Sequence, residues 1–260
     1  MSAAHAEKIF RSHLTTIERR TDRMFFWLLI GQWLFAIGIA LVWSPRTWIA
    51  QYWSVNQHVI AATVLGGLFA AYPLYLIIRK PGAPYTRHMI AIGQMLQSAL
   101  LVHVTGGRIE THFHVFGSLA LLSFYRDWRV LLTGSAVVYV DHVLLGLWFP
   151  LSIYGVPAAT IWRAVEHAFW VVFEVVFLVM ACRTGIQELR AIAEREAALR
   201  DSNQDLEGRV EERTAALQEK ITELELLNQV MMGREERILE LKREANDLCK
   251  QVGTPPKYRV

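Results

Sequence analysis

The amino-acid sequence predicts an all-α protein in which six transmembrane helices are followed by a long cytoplasmic parallel coiled coil. Hydrophobic residues make up 53% of the 260 positions and charged residues 20%, which excludes a disordered chain and is too apolar for an ordinary soluble domain. Between Met24 and Cys182 the apolar residues come in runs close to 20 long, the length that crosses a bilayer. After Ile186 no such run occurs, and apolar residues recur at alternating steps of three and four.

These patterns divide the chain into four predicted parts. Residues 1–23 form an N-terminal amphipathic helix, 24–185 a six-helix transmembrane sensor domain, 186–252 a coiled-coil signalling helix and 253–260 a tail. The first part is not a signal peptide, because its basic region is too long and too acidic and no small-residue cleavage pattern follows. Its apolar side predicts a helix lying on the membrane surface; that side is formed by Ile9, Phe10, Leu14 and Ile17.

Six segments are predicted to cross the membrane. A helix rises 1.5 Å per residue and needs about 20 residues to cross about 30 Å of hydrocarbon. The third and fourth segments are shorter than this, so their boundaries are the least defined. The predicted spans are 24–43, 58–78, 88–104, 110–125, 130–149 and 163–182.

The distribution of Lys and Arg predicts the orientation in the membrane. The N-terminal segment carries five of these residues, and the second and fourth loops carry three and two, whereas each of the three opposite loops carries one. Both termini are therefore predicted to be cytoplasmic, in a bacterial inner membrane. The net charge of +3 is too small and too dispersed to indicate nucleic-acid binding, and two cysteines cannot make a disulfide framework.

The C-terminal heptad pattern predicts a two-stranded parallel coiled coil and therefore a homodimer. The apolar positions hold one frame for about eight heptads, with polar residues at the remaining seam positions. Gly253, Pro255 and Pro256 are expected to end the helix. The apolar seam positions are Leu189, Ile192, Leu199, Leu206, Val210, Leu217, Leu224, Leu227, Met231, Ile238, Leu241, Ala245 and Leu248.

Histidines in the outer half of the predicted membrane domain are the candidate site. His142 lies thirteen residues after Arg129, about 20 Å along a helix, and three other helices each place one histidine at nearly the same depth. Imidazoles on converging helices are typical ligands of transition metals. The predicted ligands are His103, His114, His142 and His167.

His112 is a further candidate, because it lies two residues from His114 and therefore points about 200° away from it on a helix. We favour His114 as the inner ligand and leave His112 open. Four carboxylates are adjacent to or on the same helical face as these histidines; Glu110 is a possible ligand, and the others are candidates to accept hydrogen bonds from liganding imidazoles. These three are Asp141, Glu166 and Glu174.

The cofactor predicted for this cluster is a transition-metal ion, with copper first and zinc or iron next. Haem b is the alternative, although no pair of deep histidines at a glycine-lined helix crossing is evident. A hydrogen-bonded network of His and Glu without metal also remains open.

Two stretches carry a family resemblance. The run 106–116, which contains the letters ETHFH, and the run 125–129 (YRDWR) resemble a bacterial membrane sensor region found ahead of histidine kinase, chemoreceptor and diguanylate cyclase domains. The runs 206–214 and 233–242 resemble the signalling helices of sensor kinases. The resemblance implies signal transduction, with a downstream kinase or other output protein as partner.

The predicted function is therefore that of a membrane-integral sensor which transmits the state of a metal site through a dimeric coiled coil. No ATP-binding motif, phosphoacceptor context or cyclase run occurs in these 260 residues, so we expect no catalytic output from them. The alternatives are a membrane metalloenzyme of the oxidase or hydroxylase type and a haem-binding redox sensor. The expected partners are the lipid bilayer, a second copy of the chain and an output protein, and no nucleic acid.

Overall fold

The computed structural model describes residues 2–43, 46–49, 52–156 and 161–259, and the fold within them is dominated by helices. Each predicted span corresponds to helical structure. The helices are α1 (Ser2–Trp43), α2 (Gln57–Arg79), α3 (Pro84–Val104), α4 (Ile109–Leu122), α5 (Trp128–Val140), α6 (Gly146–Trp148), α7 (Pro150–Tyr154) and α8 (Ile161–Gln251). A 3₁₀ turn, Ser123–Tyr125, follows α4, and a π-helical turn, Asp141–Leu145, joins α5 to α6.

A short antiparallel hairpin lies between α1 and α2, where the sequence predicted a loop. Strand β1 (Arg46–Ile49) pairs with β2 (Tyr52–Val55), and Trp48 is opposite Trp53. The rest of the described secondary structure is helical, as the sequence predicted.

Four helical segments in the described residues are long and apolar enough to cross a membrane, which indicates a membrane protein. They are α1, α2, the run Trp128–Trp148 and α8. The predicted spans 88–104 and 110–125 do not meet these criteria. With 14 residues, α4 is about 21 Å long, which is short of the hydrocarbon thickness. Four of the six predicted spans therefore meet the criteria of length and hydropathy.

Helix α3 contains polar residues, which lower its hydropathy. It packs against α1, α2, α4, α5 and α7, so these polar side chains can be hydrogen-bonded within the protein. Gln94 and Gln97 are buried, and their amides donate to Ser118 Oγ and to the Gly66 carbonyl, both at or below 2.8 Å. A buried polar side chain that is hydrogen-bonded in this way joins helices at little cost.

The N-terminal part of α1 does not present a free apolar side, because α8 covers it. Ala6, Ile9 and Phe10 form a buried cluster with Leu189, Ala193 and Ala197. Leu14 and Ile17 pack against the same cluster. The side that the sequence assigned to a membrane-surface helix is thus used for helix–helix packing.

Ion pairs join the beginning of α3 to α1 and to the N-terminal end of α5. The Arg87 guanidinium contacts the carboxylates of Glu18 and Asp127, the latter at 3.0 Å, and all three side chains are less than one-fifth exposed. Asp22 accepts hydrogen bonds from the Gly82 backbone N–H at 2.6 Å and from the Tyr125 hydroxyl at 2.7 Å. These contacts fix the ends of four helices.

The chain forms two compact units, Met1–Ala197 and Ala198–Val260. In the second unit the predicted seam residues are exposed in the single chain; Leu206, Leu217 and Leu224 are each about 60% exposed. The helix ends at Gln251, and Asn246 accepts hydrogen bonds from the backbone N–H groups of Lys257 and Tyr258. The tail therefore folds back onto the last turns of the helix.

Candidate functional site: a three-histidine cluster

Three imidazoles from different elements meet at one end of the first unit. His112 of α4, His142 of the π-helical turn and His167 of α8 form what we call the three-histidine cluster. Their ring centroids are 5.5 Å apart for His112 and His142, 5.4 Å for His112 and His167 and 5.9 Å for His142 and His167. Two of the rings belong to buried residues, His112 and His142.

All three rings make the same local hydrogen bond. The Nδ1 atom of each lies 2.9–3.2 Å from the backbone carbonyl four residues earlier, that of Arg108, Val138 or Arg163 respectively. A carbonyl can only accept, so Nδ1 carries the proton and donates. In the neutral ring this leaves the lone pair on Nε2.

The Nε2 atom of His112 is buried and has no hydrogen-bond partner within the described part of the chain. A buried nitrogen without a partner costs about 1–3 kcal/mol unless something supplies the missing contact. The local hydrogen bonds therefore hold three imidazoles whose Nε2 atoms are available for a ligand.

The π-helical turn places His142 and its neighbours. A π turn inserts one extra residue into the helical register, and such turns are frequent at functional sites. It is followed directly by Gly146, where a Cβ would lie 2.7 Å from the Tyr154 ring, so only glycine allows this close approach. The Tyr154 hydroxyl donates to the His142 carbonyl at 2.9 Å.

Tyr154 also forms part of the wall of the cluster, which the sequence did not predict. Its ring centroid is 5.2 Å from that of His167 and 6.2 Å from that of His142. Tyr154 is the last residue of α7, and Gly155 and Gly107 position this helix end through positive φ angles and an approach that leaves no room for a Cβ at Gly107. A helix of five residues is too short for a periodic signal that would mark this residue.

Asp141 connects the cluster to a second polar group behind it. Its carboxylate is 3.3 Å from His142 Nδ1 and 3.3 Å from His103 Nε2, and it is 8% exposed. His103 Nδ1 is 2.6 Å from the Ser152 hydroxyl, another residue that the sequence did not indicate. His103 is thus two side chains away from His167, bridged by Asp141 and His142.

His114, favoured by the sequence as the inner ligand, faces the other way. Its Nδ1 is 2.9 Å from the Ser98 hydroxyl and its Nε2 is 3.2 Å from the Gln32 amide nitrogen. The structure therefore does not group His103, His114, His142 and His167 as one set; His112 takes the place that the sequence gave to His114. The 200° separation on α4 accounts for this, because only one of the two rings can face α8.

The predicted carboxylates are also separated. Glu110 is largely exposed, and its carboxylate lies 3.6 Å from the Arg108 guanidinium. Glu166 and Glu174 both line a cavity that begins at the three-histidine cluster, and Glu174 Oε2 is buried with no hydrogen-bond partner among the described residues.

This cavity of about 850 Å³ lies between α4, α5 and α8. The three-histidine cluster is at one end, and the walls are mainly apolar and aromatic. Its lining includes Phe113, Phe116, Tyr139, Trp170 and Phe173.

As the side chains stand, the described residues contain no set of three or more His, Cys, Asp or Glu groups positioned to hold a metal ion. The three ring centres lie close together, but metal binding also depends on the direction in which each Nε2 atom points. Rotation about the side-chain torsions decides whether the Nε2 atoms converge.

Comparisons with known proteins identify a partial relative. Transducer protein Htr8 of Halobacterium salinarum is 32% identical to this chain over 79 residues, which is 29% of the chain and 12% of the transducer. The chain therefore covers only a small fraction of that relative. No family model matches the chain, and no solved structure matches it significantly. This similarity supports a signal-transduction protein and carries no information about a metal.

Proposed function

We propose that this chain is a membrane-embedded sensor which holds one transition-metal ion on the three-histidine cluster and passes the state of that site through α8 to an output partner. The main support is that His112, His142 and His167 each make the same kind of hydrogen bond to the backbone. In each ring Nδ1 is occupied by a backbone carbonyl, which fixes the tautomer and leaves Nε2 as the atom that can bind a metal.

The spacing of the rings supports a single ion. Imidazole nitrogen binds zinc at about 2.0–2.1 Å, so three rings around one ion in a trigonal arrangement have centres about 5.5 Å apart. The observed separations of 5.4–5.9 Å lie close to this value. In this proposal the rings rotate about their side-chain torsions when the ion binds, so that the three Nε2 atoms converge on it.

The donor set indicates the class of metal. Three neutral imidazoles without a thiolate suit copper first, and then zinc or iron. Three protein ligands leave a coordination position open, as in zinc sites that bind an exogenous ligand. In this proposal the open position faces the cavity, and a change there alters the packing of α4, the π-helical turn and α8.

The membrane arrangement that fits this function has six spans with both termini in the cytoplasm. The packing of α3 against five other helices supports this, since a helix surrounded by protein needs less apolar surface than one that faces lipid. The excess of Lys and Arg at the N-terminus and in alternate loops supports the orientation.

The output is a parallel homodimer formed through the heptad seam. The support is an apolar face that remains exposed in the single chain over the second unit, in the spacing that a coiled coil buries. Because the π-helical turn contacts Tyr154 and His167, a change at the cluster reaches the helix that continues into the seam.

Metal content tests the proposal. Protein purified gently and reconstituted with Cu(II) or Zn(II) should hold about one ion per chain by mass spectrometry. His112→Ala, His142→Ala and His167→Ala should each lose most of it, whereas His88→Ala should keep it, since His88 bonds Thr133 elsewhere. A metal-free wild type, or variants that retain full occupancy, would overturn the proposal.

A further inference from the structure

We propose that the cavity beside the three-histidine cluster binds a membrane-soluble para-hydroquinone or its quinone, with one oxygen at the three-histidine cluster and the other at Glu174 and Ser135. This inference rests on the proposed function, because it names the ligand class whose binding the metal site would report.

The first observation is the location of buried polar atoms that have no partner. Three such atoms in the described residues line this one cavity: His112 Nε2, Ser135 Oγ and Glu174 Oε2. A metal ion accounts for the histidine nitrogen. It does not account for the Ser135 hydroxyl and the Glu174 carboxyl, which are each seven residues along the chain from His142 and His167.

The second observation is the distance between the two polar ends. Glu174 follows His167 by seven residues on α8, a rise of about 10 Å and nearly two complete turns, so both residues lie on the same side of the helix. A ligand that satisfies both ends must therefore carry polar atoms at opposite ends of an apolar body.

The walls define that body. Aromatic side chains from all three helices line the space between the ends, among them Phe116, Tyr139 and Trp170. Aromatic faces pack well against a flat ring. The cavity volume of about 850 Å³ accommodates a one- or two-ring compound with part of a hydrocarbon tail.

The route of entry is from the side of the bundle. Tyr139, Trp170 and Phe173 line the cavity and are each more than half exposed in the chain. In a membrane such residues face hydrocarbon, so a ligand dissolved in the bilayer reaches the cavity without crossing water.

Para-hydroquinones and quinones combine these properties. Their two oxygens lie at opposite ends of a flat apolar ring. The hydroquinone hydroxyl can donate to Glu174, and the quinone carbonyl can accept from the Ser135 hydroxyl or from a protonated Glu174 carboxyl. The oxygen at the other end faces the three-histidine cluster. A compound with one polar end would leave one of these sites unsatisfied.

Fluorescence quenching in nanodiscs of pure phosphatidylcholine tests the inference. The probe is 2,3-dimethyl-1,4-naphthoquinone, and the signal of Trp170 is the difference between the wild type and Trp170→Phe, because the chain has nine tryptophans. We expect saturable quenching of Trp170. Glu174→Leu and Ser135→Val should weaken the apparent affinity at least tenfold, and Glu174→Gln, which keeps a hydrogen-bonding group, should weaken it less.

The matched control is Glu188→Leu, the same change at an exposed position of α8 outside the cavity, which should leave quenching unchanged. Metal content measured on the same samples separates the two proposals. Normal metal content with quenching that stays linear in quinone concentration overturns the quinone site alone. Saturable, Glu174-dependent quenching in protein that takes up no metal supports the cavity site and overturns the metal proposal.

Discussion

At the scale of single residues, the identity of the site depends on which ring of the ETHFH run faces α8. His112 and His114 differ by two positions and bond to different parts of the molecule. The His112 ring joins the three-histidine cluster, and the His114 ring bridges Ser98 and Gln32 inside the bundle. The first is thus placed for a ligand and the second for packing.

Substitution of the two histidines should therefore have opposite effects on metal content and on stability. His114→Ala should keep the metal but lower the free energy of unfolding by about 1–3 kcal/mol, because it removes the partner of buried polar groups. His112→Ala should lose the metal with a smaller loss of stability in the metal-free protein. Metal analysis and thermal unfolding of both variants in detergent check this, and loss of metal from His114→Ala would refute the assignment.

At the scale of helices, the sequence predicted helical structure at every span, and counting residues along the helices predicted that His142 and His167 lie at nearly the same depth. Depth along a helix follows from residue counting, so it is available before folding is known. Rotation about the helix axis is not, since packing selects His112 over His114. The π-helical turn shifts the register locally, and α7, which carries Ser152 and Tyr154, is too short to leave a periodic signal.

The sequence predicted that the N-terminal part of α1 lies on the membrane surface, whereas in the structure it packs against α8. Ala193 is completely buried against the N-terminal part of α1, and Ala198, five residues later, is exposed. Ala193→Leu should therefore overpack the contact and lower the free energy of unfolding by about 1–3 kcal/mol. Ala198→Leu should change it by less than about 0.5 kcal/mol. Equal melting temperatures for the two variants would show that α1 does not pack there.

At the scale of the whole molecule, the exposed heptad seam predicts a dimer in which the same residue of two copies meets. In a background of Cys182→Ser and Cys249→Ser, Leu217→Cys should form an intermolecular disulfide on mild oxidation, since seam residues of parallel coiled coils lie within disulfide reach. Glu219→Cys, outside the seam, should not. Equal cross-linking of both variants on a denaturing gel would contradict the parallel seam.

We propose that three imidazoles of this chain share one metal ion. Pulsed electron paramagnetic resonance of protein loaded with one equivalent of Cu(II) counts the coordinated imidazoles through the remote nitrogen of each ring. We expect three coordinated imidazoles in the wild type and two in His167→Ala, with His114→Ala unchanged at three. A spectrum without imidazole coupling, or an imidazole count that His167→Ala leaves unchanged, would contradict the account.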